Sequence, residues 1–256
     1  MAFTRPAGRL LWLLTGPLLL QSALPAAALE AAGKGLDRSL ETLLAQAQGP
    51  AAAAIPKEVQ MWLEGAKAAA AKGDSAEALR LQKLVVGWLQ ANRPDLDVIR
   101  AGALIILGNL LSDVEQKQEA LAPTEEAVRI LRQVEGSQPE ARWFLAGALD
   151  SLGNWYSELG RRQEALAPAE EALKIHRELA KTNPAFLNDL ARSLTNMGIR
   201  YSDLGRRQEA LAPTEEALKI RRELAKTNPA FQGDLASSLN NLGSHYSELG
   251  RRQEAL

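Results

Sequence analysis

Two histidines and no cysteine limit the chemistry that this 256-residue chain can carry. Without cysteine there is no thiolate nucleophile, no disulfide framework, no cysteine-held zinc and no iron–sulfur cluster. His176 sits among Glu and Lys neighbours and reads as a solvated helix position. His245 follows Ser244, and the residue four further on is Leu249, which offers it no carboxylate. Gly33-Lys34-Gly35 lacks the spacing of a phosphate loop, which needs G-x-x-x-x-G-K-[ST]. No catalytic constellation, cofactor site or metal site is expected, so the chain does not read as an enzyme. Thirty basic residues against 31 acidic ones give no polybasic field for nucleic acid. What remains is hydrogen-bonding chemistry. The arginine pairs Arg161-Arg162, Arg206-Arg207 and Arg251-Arg252 read as solvated helix starts, with contact to an acidic partner as the alternative. Rows of Asn and Ser complete the set, and such groups bind rather than transform.

The elements that position these residues follow from a period of 45. Residues 161–186 and 206–231 share one 26-residue sequence, differing only at Ala169/Thr214 and His176/Arg221. The same step links Gly160, Gly205 and Gly250, links Pro123, Pro168 and Pro213, links Pro139, Pro184 and Pro229, and links Gly108, Gly153, Gly198 and Gly243. A degenerate first unit precedes them, with Pro94 45 before Pro139 and Glu77-Ala78-Leu79 42 before Glu119-Ala120-Leu121. A fixed period of this size marks a solenoid, in which each unit buries its apolar face by stacking on its neighbours.

Each unit reads as a pair of helices. Over 141–159, Leu145, Leu149, Leu152 and Tyr156 recur at helical spacing and Gly160 ends the run. The second helix is expected from about Arg162 to about Lys181. Its apolar stripe is Ala165, Ala169, Ala172, Leu173 and Leu179, with Glu170 paired to Lys174 at i,i+4. Asn183-Pro184 stops it, because the residue before proline is pushed out of the helical region. Pro168 falls inside this expected helix and predicts a kink that recurs at 123 and 213. The uncharged run from Ala101 to Ser112 is read as core and not as a membrane span.

These residues resemble tetratricopeptide repeats, of the longer variety found in kinesin light chains and in many bacterial multi-repeat proteins. Leu152-Gly153, Tyr156, Gly160, Glu164-Ala165-Leu166 and Ala172-Leu173 carry the resemblance. They recur as Met197-Gly198, Tyr201, Gly205, Ala210 and Ala217, and as Leu242-Gly243, Tyr246 and Gly250. It covers residues 57–256, with the first unit fitting loosely through Trp62, Gly73 and Ala78. The resemblance implies an all-α fold, a right-handed superhelical solenoid of antiparallel helix pairs, four of them complete and a fifth truncated.

It also implies a concave groove, lined by the first helix of each pair, that binds a protein or peptide segment. On the helical wheel, Leu149, Leu152, Gly153 and Tyr156 face the second helix, whereas Asp150, Asn154, Ser157 and Glu158 fall on the other side. The matching residues are Arg192, Thr195, Asn196, Ile199 and Asp203 in the next unit, and Asn240, Asn241 and Ser244 in the one after. Asn amides both donate and accept, which suits the backbone of a bound segment. Residues 187–205 and 232–250 agree at 11 of 19 positions, and half of the differences lie on this arc. The alternative is that these are solvated positions free to drift. The family's pocket for a C-terminal carboxylate does not carry over, because it needs lysine where this chain has Asp150, Thr195 and Asn240.

Residues 1–28 read as a secretory signal peptide. Arg5 and Arg9 precede an apolar run from Leu10 to Leu20, Gly16-Pro17 breaks it, and Ala26-Ala27-Ala28 offers the cleavage site. The mature chain is then expected to start at Leu29, to carry no membrane span and to be periplasmic or secreted. Residues 29–56 form an N-terminal segment in which Leu36, Leu40, Leu43 and Leu44 predict one amphipathic helix. The expected function is a protein–protein interaction scaffold. The alternatives are the front region of a larger effector enzyme, such as a caspase-like peptidase, or a structural spacer. Residues 251–256 restart a second helix and stop within its first turn, so a continuation is expected.

Overall fold

The computed structural model describes residues 55–251 and 253. Residues 1–28, expected to be a signal peptide, the segment over 29–54 with its Gly33-Lys34-Gly35, and residues 252 and 254–256 lie outside the described residues. Within them run nine α-helices and no strand: α1 (Lys57–Ala71), α2 (Ser75–Asn92), α3 (Asp97–Asp113), α4 (Leu121–Val134), α5 (Ala141–Glu158), α6 (Leu166–Thr182), α7 (Leu187–Asp203), α8 (Arg207–Thr227) and α9 (Gln232–Glu248). Single 3-10 turns at Pro184–Phe186 and Pro229–Phe231 lead into α7 and α9. The chain divides into two compact units within α5, after Ala148.

In the first unit α1 packs on α2, α2 on α3 and α3 on α4. Asp74 caps α2 by accepting from the Glu77 amide at 3.1 Å, and Val59, Leu63, Val85, Leu89, Leu104, Ile105 and Leu131 fill the core. Helix α3 is buried on nearly all sides, so the uncharged run Ala101–Ser112 is core as expected. No described helix is long and apolar enough to cross a membrane. One polar group enters this core satisfied: Gln82 Nε2 donates to the Ala103 carbonyl at 2.8 Å.

In the second unit α6 packs on α7, α7 on α8 and α8 on α9, around Leu190, Ala191, Leu194 and Ala217. The repeated glycines do two jobs. A methyl group added to Gly108, Gly153 or Gly198 would meet the carbonyl oxygen of Ala120, Ala165 or Ala210 at 3.2 Å, so glycine lets the two helices of a pair approach closely. Gly160, Gly205 and Gly250 end their helices at φ 77°, 74° and 74°, a left-handed conformation that glycine adopts without strain. The Arg161 amide then reaches back to the Tyr156 carbonyl at 2.8 Å. In the first unit the same position is Glu115, held at φ 63° without that freedom.

Two expectations are corrected. Helix α6 begins at Leu166, not Arg162, so Pro168 lies in the first turn, where its missing N–H leaves no intrahelical bond unmade. Pro123 sits likewise in α4, and only Pro213 falls inside a helix. The pair expected between Glu170 and Lys174 is not made. The hydrogen-bonded Glu209 chiefly raises the pKa of Arg206, and Tyr201 and Glu170 add smaller contributions.

Candidate functional site

The expected binding residues of α5 and α7 are brought together, but chiefly with one another. Asp150 is 6 % exposed and accepts at Oδ2 from Ser193 Oγ (2.8 Å) and at Oδ1 from Asn196 Nδ2 (3.2 Å). Arg192 Nε stands 3.8 Å from Asp150, and its Nη2 3.3 Å from Asp189. Arg200 Nη2 donates to Asn154 Oδ1 at 2.7 Å, and Arg200 Nη1 lies 3.3 Å from Asp203. Ser157 Oγ donates to Asp203 Oδ2 at 2.7 Å, and one repeat on Ser202 Oγ donates to Glu248 Oε2 at 2.6 Å. Four of these eight contacts join a residue to the one 46 positions later, and together they form a lateral seam between consecutive first helices.

Asp150 and Thr195 are therefore buried and not open to a ligand. Thr195 Oγ1 donates to its own helix at the Ala191 carbonyl, 2.9 Å away. Ser157, Glu158, Arg192, Asn196, Ile199 and Asp203 are half-buried, as are Asn154 and Asn241. Asn240 and Ser244 on α9 are exposed, with Ser244 Oγ turned back to the Asn240 carbonyl at 3.0 Å.

The histidines depart most from expectation. His176, read as solvated, is 0 % exposed, and its Nδ1 lies 2.7 Å from Ser193 Oγ and 3.8 Å from Asp150 Oδ2. Burial pushes its pKa down to about 4; Asp150 opposes the shift and Arg192 adds to it. Serine, not histidine, is the middle member of this trio, so the geometry does not make a nucleophile. His245 occupies the place of Arg200 one repeat later. It is buried, Glu248 Oε2 lies 4.0 Å from its Nδ1, and burial lowers its pKa. Among the described residues no group of three or more acidic or histidine side chains could hold a metal ion.

The arginine ladder is built into the repeat. Arg161, Arg206 and Arg251 lie over the rings of Tyr156, Tyr201 and Tyr246 at 4.4, 4.5 and 4.8 Å. Arg161 and Arg206 also grip Glu164 and Glu209 with two bonds each, which holds those carboxyls below the usual range.

Residues 145–184, 190–229 and 235–256 match the sequence model of the tetratricopeptide repeat, and residues 100–139 match that of anaphase-promoting complex subunit 5. No curated protein matches the chain. Among solved structures, a Podosopora anserina kinesin light chain protein with nearly identical TPR-like repeats is 22 % identical, over 77 % of this chain and 89 % of that one, at a TM-score of 0.63. BtubC (BKLC) from P. vanneervenii is 23 % identical, over 91 % and 87 %, at 0.63. The apo form of RapI is 15 % identical, over 77 % and 66 %, at 0.65. The chain therefore carries tetratricopeptide repeats within residues 145–256, and its fold is similar to that of kinesin-light-chain-like repeat structures. Its fold is the all-α tetratricopeptide-like solenoid.

Proposed function

We propose that this protein is an interaction scaffold that holds a peptide or protein segment along the first-helix face of its second unit, formed by the end of α5, α7 and α9. The observation that carries this reading is the division of labour along that face. Between α5 and α7 the polar groups fasten neighbouring repeats, and Asn154, Asn196 and Arg192 keep part of their surface at the rim of the seam. On α9, Asn240 and Asn241 keep side-chain donors and acceptors for a bound backbone, and the Ser244 hydroxyl, which donates to the Asn240 carbonyl, keeps its acceptor. Replacing Asn240, Asn241 and Ser244 together by Ala should weaken capture of the partner while the melting temperature stays nearly constant, since the groups removed are exposed or half-buried. Equal loss of stability and binding would count against the reading.

The scaffold is proposed to act after export, on the strength of the basic, apolar and small-residue order of residues 1–28. Sequencing the N-terminus of the exported material should give Leu29 first; soluble protein that keeps Met1 would refute this part.

A further inference from the structure

The second unit carries a cleft on the side of the second helices, away from the seam. It encloses about 430 Å³ between α6 and α8, over a floor of Leu173, Met197 and Tyr201. A second cleft of about 400 Å³ lies between α8 and α9, over Leu218, Leu242 and Tyr246, which are the same positions 45 residues later. Both volumes are in the range that holds a few side chains of a ligand.

The charges around the two clefts are unequally committed. Glu216 is taken by Arg177, Glu215 accepts from Tyr246 Oη at 2.8 Å, and Glu223 is held by Lys226 at 2.7 Å. By contrast Lys174 and Lys181 at the first cleft, and Lys219 and Arg222 at the second, are exposed and make no ion pair with another described residue. Two of these acids, Glu216 and Glu223, are neutralised by ion pairs within the protein, while four cations at the clefts are left over, more than the acids that remain there.

We infer that these paired clefts dock an acidic, leucine-rich segment of another protein chain. Its aliphatic side chains enter over Met197 and Leu242, and its carboxylates meet Lys174 and Lys181, then Lys219 and Arg222. Two like clefts one repeat apart favour a ligand in which the acidic-aliphatic pattern occurs twice, because the second contact becomes intramolecular. This surface is separate from the first-helix face, and neither assignment depends on the other.

The chain offers its own reporters. Met197 lines the first cleft, whereas Met61 is exposed on α1 in the other unit. With methyl-13C methionine in the full chain, titrate a short peptide alternating Glu and Leu, and the same peptide with Lys for Glu. The Met197 methyl signal should move with the acidic peptide and Met61 should stay still; the basic peptide should move neither. Lys174→Glu with Lys181→Glu, and Lys219→Glu with Arg222→Glu, should each weaken the acidic peptide about tenfold, all four being surface changes that leave the fold intact. The variant with Ala at Asn240, Asn241 and Ser244 should bind the acidic peptide normally. A stationary Met197 signal, equal binding of the two peptides, indifference to the charge reversals, or loss of binding in the alanine variant alone would overturn the assignment.

Discussion

His176 Nδ1 lies 2.7 Å from Ser193 Oγ, which in turn donates to Asp150 Oδ2, so one buried chain of bonds ties α6, α7 and α5 together. Its pH dependence can be worked out. In the folded protein His176 binds a proton only near pH 4, and in the unfolded chain near its ordinary value of 6.5. Between these values the unfolded state holds more protons, so stability falls as pH drops from 6.5 toward 4 and is complete above 6.5. The gap corresponds to roughly 3 kcal/mol. Urea midpoints of the second unit should therefore fall over this window, and His176→Leu, which copies Leu131 one repeat earlier, should flatten this part of the fall. An unchanged pH profile in the variant would contradict the buried neutral histidine.

Glu115 stands where three later repeats have glycine, and its φ of 63° is strained for a side chain with a Cβ. Glu115→Gly should stabilise the first unit by about 1 kcal/mol despite the added freedom of the unfolded chain. Chemical denaturation followed through the first unit would show the gain; a loss would mean that the Glu115 side chain contributes more than its backbone strain removes.

Gly198 and Thr214 form a matched pair. A methyl group on Gly198 would come within 2.3 Å of Thr214 Oγ1, whereas Gly153 faces Ala169, whose Cβ would be 3.8 Å away. Gly198→Ala should thus cost about 1–3 kcal/mol, and Gly153→Ala less. Adding Thr214→Ala should recover part of the Gly198→Ala loss, although it removes the bond from Thr214 to the Ala210 carbonyl. A double-mutant cycle measures this directly, and strict additivity would contradict the contact.

The helix pairs, their glycine stops and the turning of Gly153 toward the second helix were legible in the sequence, because an exact period carries every local signal several times. The seam was not. Its bonds run from one residue to the one 46 later, as from Asp150 to Asn196 and from Ser157 to Asp203, so an alignment at 45 sets the partners side by side and never opposite each other. A helical wheel places Asp150 away from its own pair's second helix, but it does not see the neighbouring repeat that covers it. His176 was misread because polar neighbours on one helix say nothing of what packs over it. The one available hint was the change of His176 to Arg221 while Ser193 and Ser238 stay the same: Arg221 is also buried, with Nη1 2.7 Å from Ser238 Oγ. The start of α6 was missed because a turn preceding Pro168 and a first helical turn share the same residue preferences.

The account's central claim is that a partner segment lies along the first-helix face, and site-specific photo-crosslinking in the producing cell tests it most directly. A photoreactive residue in place of Asn240 or Ser244 should trap one and the same partner segment, and in place of exposed Lys83 on α2 it should trap nothing in common with them. Failure of Asn240 and Ser244 to yield a shared crosslink, while the full-length protein still captures its partner, would contradict the claim.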